Sequence, residues 1–248
     1  MNSTSSNDLI IENDGDKLTL TMNRPDSSNS LTPELVEALI TALSITRPIR
    51  LCVIRANGRN FCAGFDLSDI DSLSDGDLLL RFVRLETLLQ RIHHATFPVL
   101  VLTHGHAVGA GADIVVAAGS RIAAPGSTFR MPGWQFGIAL GTRRLTDLIG
   151  TDGARDLLID TRVVNETIAL QMGLISEVVA QVDWSARIAE VLQRSSALPH
   201  DSLQNLLALT IQDTRAADMA ALSESASVPG LKERIVAYRQ RVQQSRKR

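Results

Sequence analysis

The residues best placed to do chemistry lie in Thr103–Asp113, "THGHAVGAGAD", where three glycines, two histidines and a carboxylate follow the apolar run "FPVLVL". His104 and His106 are two apart, which puts them on different faces of a helix, and no Cys or Glu stands at ligand spacing, so the pattern does not support a metal site. There is no Gly-Lys-Ser/Thr ending for a nucleotide phosphate loop. The glycine order Gly105-x-x-x-Gly109-x-Gly111 also misses the dinucleotide fingerprint. What remains is a strand running into a glycine-containing turn, with a helix starting near Ala110. The first amides of a helix have no partner within it and point outward, which suits them to hold a developing oxyanion. Asp113, one turn later, is a candidate proton carrier; its alternative role is to complement the helix dipole. A second turn of the same kind, "NFCAGFDL" at Asn60–Leu67, could bring another amide to the same place.

The elements around these turns are readable from spacing. Leu18–Met22 alternates as a strand and ends at the turn signal Asn23-Arg24-Pro25. Thr32 and Pro33 predict a helix start, with Leu35, Leu39 and Leu43 on its buried face. Ile49–Ala56 and Pro98–Leu102 are too apolar to have a wet face and read as buried parallel strands. Leu78–His93 reads as an amphipathic helix and Ala112–Ala118 as a buried one. Arg121–Ala124 and the stretch from Phe129 read as short strands. Helices follow at Thr142–Ile149, Ala154–Leu158 and Glu166–Met172, then a strand in "GLISEVV", then helices from Trp184 on. Alternating strands and helices followed by a helical tail give an α/β fold class.

Composition excludes several functions. A net charge of −2 and pI near 6.2 provide no field for nucleic acid or an anionic membrane. The basic run from Lys232 to Arg248, opposed only by Glu233, reads as a solvated helix end or a contact surface. Phe97–Gly119 contains His104, His106 and Asp113, too costly for a membrane span. The two cysteines, Cys52 and Cys62, fit a reducing compartment, and "MNSTSSNDL" lacks the form of a secretory signal, so a cytoplasmic location is expected. No cofactor is expected.

Four stretches, "LTMNRPDSSNSLTPELVEAL", "NFCAGFDLSDI", "FPVLVLTHGHAVGAGADIVVAAGSRIAA" and "ALQMGLISEVV", together resemble the crotonase superfamily, the enoyl-CoA hydratase/isomerase family, over residues 10 to 182. The resemblance implies a spiral of ββα repeats over residues 9–190 and a C-terminal helical trimerisation segment over 191–248; the small, polar residues 1–8 read as a disordered start. It implies a homo-oligomer, trimer or dimer of trimers, acting on acyl-CoA thioesters, with coenzyme A part of the substrate. The oxyanion donors map to the amides of Phe65 and Ala110. Phe65 also packs on the acyl group, Trp134, Gly133 and His106 fall at the substrate pocket, and Arg24 falls where relatives contact CoA. Asp66 reads as the cap of the following helix.

The sequence departs from a hydratase in one decisive way. Similar hydratases use two glutamates as acid and base. The first aligns with Asp113, but the second aligns with Gly133 in "FRMPGWQFGI", and no carboxylate lies between Phe129 and Thr146. The glycine-rich stretch before the next helix is shortened to "ALGTRRL". The aspartate nucleophile of the dehalogenase branch, near Leu140–Gly141, is also missing, as is the second acid of the dienoyl-CoA isomerase branch. The expected chemistry is therefore isomerase- or hydratase-like with Asp113 as the single acid/base. Decarboxylation or retro-aldol cleavage of a CoA thioester would also fit, as would a catalytically degenerate acyl-CoA-binding homologue or partner subunit.

Overall fold

A computed structural model describes residues 8–45 and 47–245. The expectation for the N-terminus therefore falls outside the described residues except at Asp8, whose carbonyl accepts from Asn23 N at 2.7 Å. β1 (Leu9–Asp14) and β2 (Lys17–Met22) form an antiparallel pair. β1 is an unforeseen edge strand. Only Leu9 is buried along it, so its sequence carries no period-two signal.

α1 (Pro33–Leu43) begins as its sequence requires, with the Thr32 hydroxyl accepting from Leu35 N at 3.2 Å and Pro33 in the first position. β3 (Leu51–Ala56) pairs in parallel with β2. α2 (Asp75–His93) starts three residues before its first core contact because Ser74 and Asp77 form a reciprocal capping box. β4 (Val99–Thr103), β5 (His106–Val108) and α3 (Ala110–Ala117) follow, then β6 (Ser120–Ala123) and β7 (Thr128–Arg130). In each of these two pairs the chain leaves one sheet and enters another within a few residues. β4 and β6 belong to a six-stranded sheet ordered β1-β2-β3-β4-β6-β9, with β9 at Glu177–Val178, while β5 and β7 belong to a three-stranded sheet ordered β5-β7-β8, with β8 at Val164–Asn165. β5 was not foreseen, since three residues on the rim of a glycine turn carry no periodicity.

The remaining elements are α4 (Thr142–Ile149), α5 (Thr151–Asp160), β8 (Val164–Asn165), α6 (Glu166–Met172), β9 (Glu177–Val178) and four C-terminal helices. These are α7 (Trp184–Ser196), α8 (His200–Leu209), α9 (Arg215–Ala226) and α10 (Leu231–Ser245). The strand expected in "GLISEVV" shortens to β9, because Leu174 and Ile175 enter the core directly after the left-handed Gly173 cap of α6.

The all-apolar strands are explained by cover on both faces. Cys52 and Ile54 of β3 face the main core with α1, α2 and α3. Leu51 and Val53, with Leu100, Leu102 and Ile122, face a second cluster covered by Trp184, Ile188, Val191 and Leu192 of α7. None of the described helices is long and apolar enough to cross a membrane.

One polar assembly lies inside this packing. Arg144 on α4, with its side chain only 2 % exposed, pairs with Glu86 of α2 at 2.5 Å and Asp218 of α9 at 3.3 Å. Gln90 donates to Glu86, and Thr214 donates to Asp218. Three helices distant in sequence are thereby pinned to one guanidinium. Removing one partner of a buried ion pair is costly because it leaves charge uncompensated. Arg144→Met is expected to destabilise the fold by about 3–5 kcal/mol in denaturant titrations. The Arg144→Met, Glu86→Gln double variant should lose less than the single one.

Candidate active site

The two glycine turns meet. Cys62 pairs in parallel with Ala107, and Leu31 pairs with Phe65, which lays residues 31, 62–65 and 107–110 side by side. Val108 N donates to Cys62 O at 2.9 Å, and Cys62 N donates to His106 O at 3.1 Å. Gly64 sits at φ +88°, and a Cβ there would fall 2.4 Å from Val108 O and 3.4 Å from Ala110 N. Only glycine fits that conformation and that approach. The turns are thus in contact next to Phe65 and Ala110.

Ala110 is the first residue of α3. Among the described residues no backbone carbonyl accepts from the amide of Phe65 or of Ala110. The Gly109 carbonyl, by contrast, accepts from Ala112 N and Asp113 N and closes the first turn. Two unsatisfied amides therefore flank one site, and an anionic oxygen is the group that such a pair binds best.

Phe65, Ala110, Asp113, Gly133 and Trp134 all line one cavity of about 120 Å³. Asp113 is 4 % exposed and its Oδ1 is sealed from solvent with no hydrogen-bond partner. Burial pushes its carboxyl well above the usual carboxylate range; the Arg144 charge pulls it back and the Glu86 charge adds to the rise. The acid is held in place from below. Gly141 has φ +66°, and a Cβ there would lie 2.1 Å from Asp113 Oδ1, so the carboxyl occupies the space of the missing side chain. Gly133 is different: a Cβ there would meet only Ile138 O at 3.2 Å. Asp113 is the one carboxylate along the cavity wall.

Two expected site residues lie elsewhere. His106 is exposed on β5, its Nδ1 within 2.6 Å of the Thr128 hydroxyl, and it is not part of the cavity wall. The alternation of β5 places Ala107 inside and the histidine outside. Arg24 is committed to the protein itself, with Nη1 donating to Ser30 O at 2.5 Å and pairing with Asp66 at 3.1 Å, while Nε faces Asp8 at 3.3 Å.

That arrangement also corrects Asp66, which caps no helix. Its Oδ1 accepts from Ser68 N, and its Oδ2 accepts from Ser30 and Arg24. Burial raises the Asp66 carboxyl, but hydrogen bonds from Ser68, Ser30 and Arg24 outweigh it and hold it at about 2. Cys62 lies buried under the turn with its thiol pushed up to about 12 by burial, which makes it inert. Among the described residues no three His, Cys, Asp or Glu side chains gather as a metal site.

Residues 16–238 match the enoyl-CoA hydratase/isomerase family. The chain belongs to that family. It is 31% identical over 183 residues to the "Probable enoyl-CoA hydratase" of Mycobacterium leprae, covering 70% of this chain and 72% of that one. It is 30% identical over 181 residues to the trans-2-decenoyl-[acyl-carrier-protein] isomerase of Streptococcus mutans, covering 69% of each. Among solved structures, an enoyl-CoA hydratase/isomerase-type protein from Bordetella parapertussis superposes with a TM-score of 0.92 at 40% identity, covering 94% of this chain and 98% of that one. The two-sheet arrangement is therefore the crotonase spiral, with its C-terminal helices present.

In this crotonase the tail also contributes to the cavity, which sequence reasoning missed. Ile235 and Tyr238 of α10 line it, as do Phe82, Met131 and Phe136. Arg234 donates to Phe136 O at 3.0 Å, Arg241 donates to Gln135 O at 3.2 Å, and Arg239 reaches Asp71 at 3.0 Å. Much of the basic run, up to Arg241, is thus spent fastening α10 over the site; its last residues, Arg246–Arg248, lie outside the described residues. The available signal was the spacing Leu231, Ile235, Tyr238, one apolar stripe on a charged helix.

The raised Asp113 carboxyl has a pH signature. The folded state holds its proton more tightly than the unfolded chain, where an aspartate titrates near 3.9. Its stabilising effect is complete below that pH and is lost as pH rises toward the folded value. Asp113→Asn should therefore melt at least about 2 °C above wild type at pH 8, with the gap closing near pH 4, in paired thermal scans.

Proposed function

We propose that this protein binds an acyl-CoA thioester, holds its carbonyl oxygen on the amides of Phe65 and Ala110, and moves a proton with Asp113 alone. The observation that carries this reading is a buried carboxyl with no hydrogen-bond partner, in the same cavity wall as two unsatisfied amides. The ionised carboxylate takes a proton from the carbon next to the thioester or, in a β,γ-unsaturated acyl chain, from the same α-position conjugated to it. The electron pair flows to the carbonyl oxygen as an enolate. Returning that proton to the γ-carbon shifts the double bond, and no second carboxylate is needed. The raised proton affinity of Asp113 makes it a stronger base than a solvated aspartate, which favours the abstraction.

The names of the relatives cover both hydration, as in Mycobacterium leprae, and isomerisation, as in Streptococcus mutans, and the site favours the second. Gly133 supports it, because hydration in the two-glutamate manner needs a second group to hold the water. Gly133 also favours a second reading, an acyl-CoA-binding homologue without turnover. A cytosolic homo-oligomer, trimer or dimer of trimers, built on the C-terminal helices, belongs to the same proposal. It draws support from two reduced, buried cysteines and from the helical tail.

Exchange of α-deuterium separates the readings. Wild-type protein should wash deuterium out of an α-labelled acyl-CoA, and Asp113→Asn should slow this by about 10²–10⁴-fold, read by mass spectrometry. Exchange absent from wild type would establish the non-catalytic reading, and exchange equal in both would overturn the role of Asp113 as the base. Phe65→Pro deletes one donor and should cost about 10²–10³-fold in the same assay.

A further inference from the structure

The wall of the Asp113 cavity is chemically lopsided. Aromatic residues are scarce in this chain, yet five of its nine, Phe65, Phe82, Trp134, Phe136 and Tyr238, line this one cavity. The rings are packed on each other as well as on the space. Phe65 stacks on Phe82 with centroids 4.7 Å apart, and Phe136 meets Tyr238 at 5.3 Å. Flat faces of this kind favour a flat occupant by offset or edge-to-face packing.

The size agrees. An apolar cavity of roughly 150 Å³ holds one benzene molecule, and this one is about 120 Å³. That is room for about one six-membered ring beside Asp113.

The polar groups of the wall are equally few. Apart from Asp113, only Trp134 and Tyr238 carry a side-chain hydrogen-bond donor. The Trp134 indole is already committed, donating to the Thr142 hydroxyl at 3.1 Å. The hydroxyl of Tyr238, the one tyrosine of the chain, makes no hydrogen bond to any described residue, although the side chain is half buried. A tyrosine hydroxyl brought to a binding site without a protein partner has its hydrogen bond available for the ligand.

We infer that Tyr238 is a specificity-determining residue and that the acyl group is a single ring bearing an oxygen substituent, held between the aromatic faces and hydrogen-bonded to the Tyr238 hydroxyl. This rests on the acyl-CoA reading above and narrows its substrate class. An analogue lacking the acceptor forfeits the hydrogen bond that the Tyr238 hydroxyl offers, and that difference is the discrimination the residue exerts.

The test is isothermal titration of the full chain with phenylacetyl-CoA, its 2-, 3- and 4-hydroxy forms, decanoyl-CoA and free coenzyme A. Phenylacetyl-CoA is expected to bind at least about tenfold tighter than decanoyl-CoA. At least one hydroxy form should gain a further 3- to 10-fold, roughly the span of one neutral hydrogen bond. Tyr238→Phe keeps the ring against Phe136. It should erase that gain while changing the affinity for unsubstituted phenylacetyl-CoA by less than about twofold. Equal binding of decanoyl-CoA, no gain from any hydroxyl, or a gain that survives in Tyr238→Phe overturns the inference and leaves the acyl-CoA reading intact. If no thioester binds more tightly than free coenzyme A, both fall together.

Discussion

Most of the design follows from one unfavourable act, the burial of the Asp113 carboxyl without a hydrogen bond. Such a group is tolerated only where its surroundings are fixed, because any freedom would let it rotate toward water or a backbone amide. Here the fixing comes from several directions. The first turn of α3 sets its direction, and Gly141 receives one of its oxygens where any other residue would collide. The guanidinium of Arg144, in the first turn of the helix that follows Gly141, offsets part of the cost of its charge. Glu86 and Asp218 in turn balance Arg144 and tie that helix to α2 and α9. Apolar side chains of similar volume could also hold three helices together, so what the triad adds is the charge it sets beside Asp113.

The two sheets have a comparable division of labour. The six-stranded sheet, whose central strands β3 and β4 are buried on both faces, carries the cohesion of the molecule. The three-stranded sheet is small, and its contribution is placement. β5 runs beside the Cys62 turn and so decides where α3 begins, and with it where Ala110 and Asp113 stand. A binding site built from the joints between rigid strands combines open backbone amides with fixed positions, which a flexible loop cannot.

What was legible in the sequence divides along the same line. Features set by local chemistry were readable: the Thr32-Pro33 helix start, the apolar runs of β3 and β4, and the start of α3 at the glycines before Ala110. The candidate acid and the residues of both turns were readable for the same reason, whereas the missing acid at Gly133 showed only through the resemblance to hydratases. Features set by distant partners were not. Nothing local distinguishes Arg144, which is buried, from Arg143 beside it, whose side chain is half exposed; Asp218 pairs with both, and only Glu86, from a remote helix, takes Arg144 alone. Asp66 precedes a polar segment and so resembles a cap, but Arg24 and Ser30 arrive from the preceding turn and claim it. His106 stood out by residue type, and the pleat of a three-residue strand turned it outward.

The wall contributed by α10 has a consequence in time. Ile235 and Tyr238 are translated about 125 residues after Asp113. At common synthesis rates that interval is roughly 6–25 s. During it the spiral can pack its sheets and close the Asp113 turn while one side of the cavity is still unmade. Until α10 emerges the cavity lacks the wall that Ile235 and Tyr238 supply, and two of its apolar and aromatic contacts arrive together on one helix. A chain that stalls or is clipped before α10 therefore lacks that wall, although Asp113 and both glycine turns have already been made.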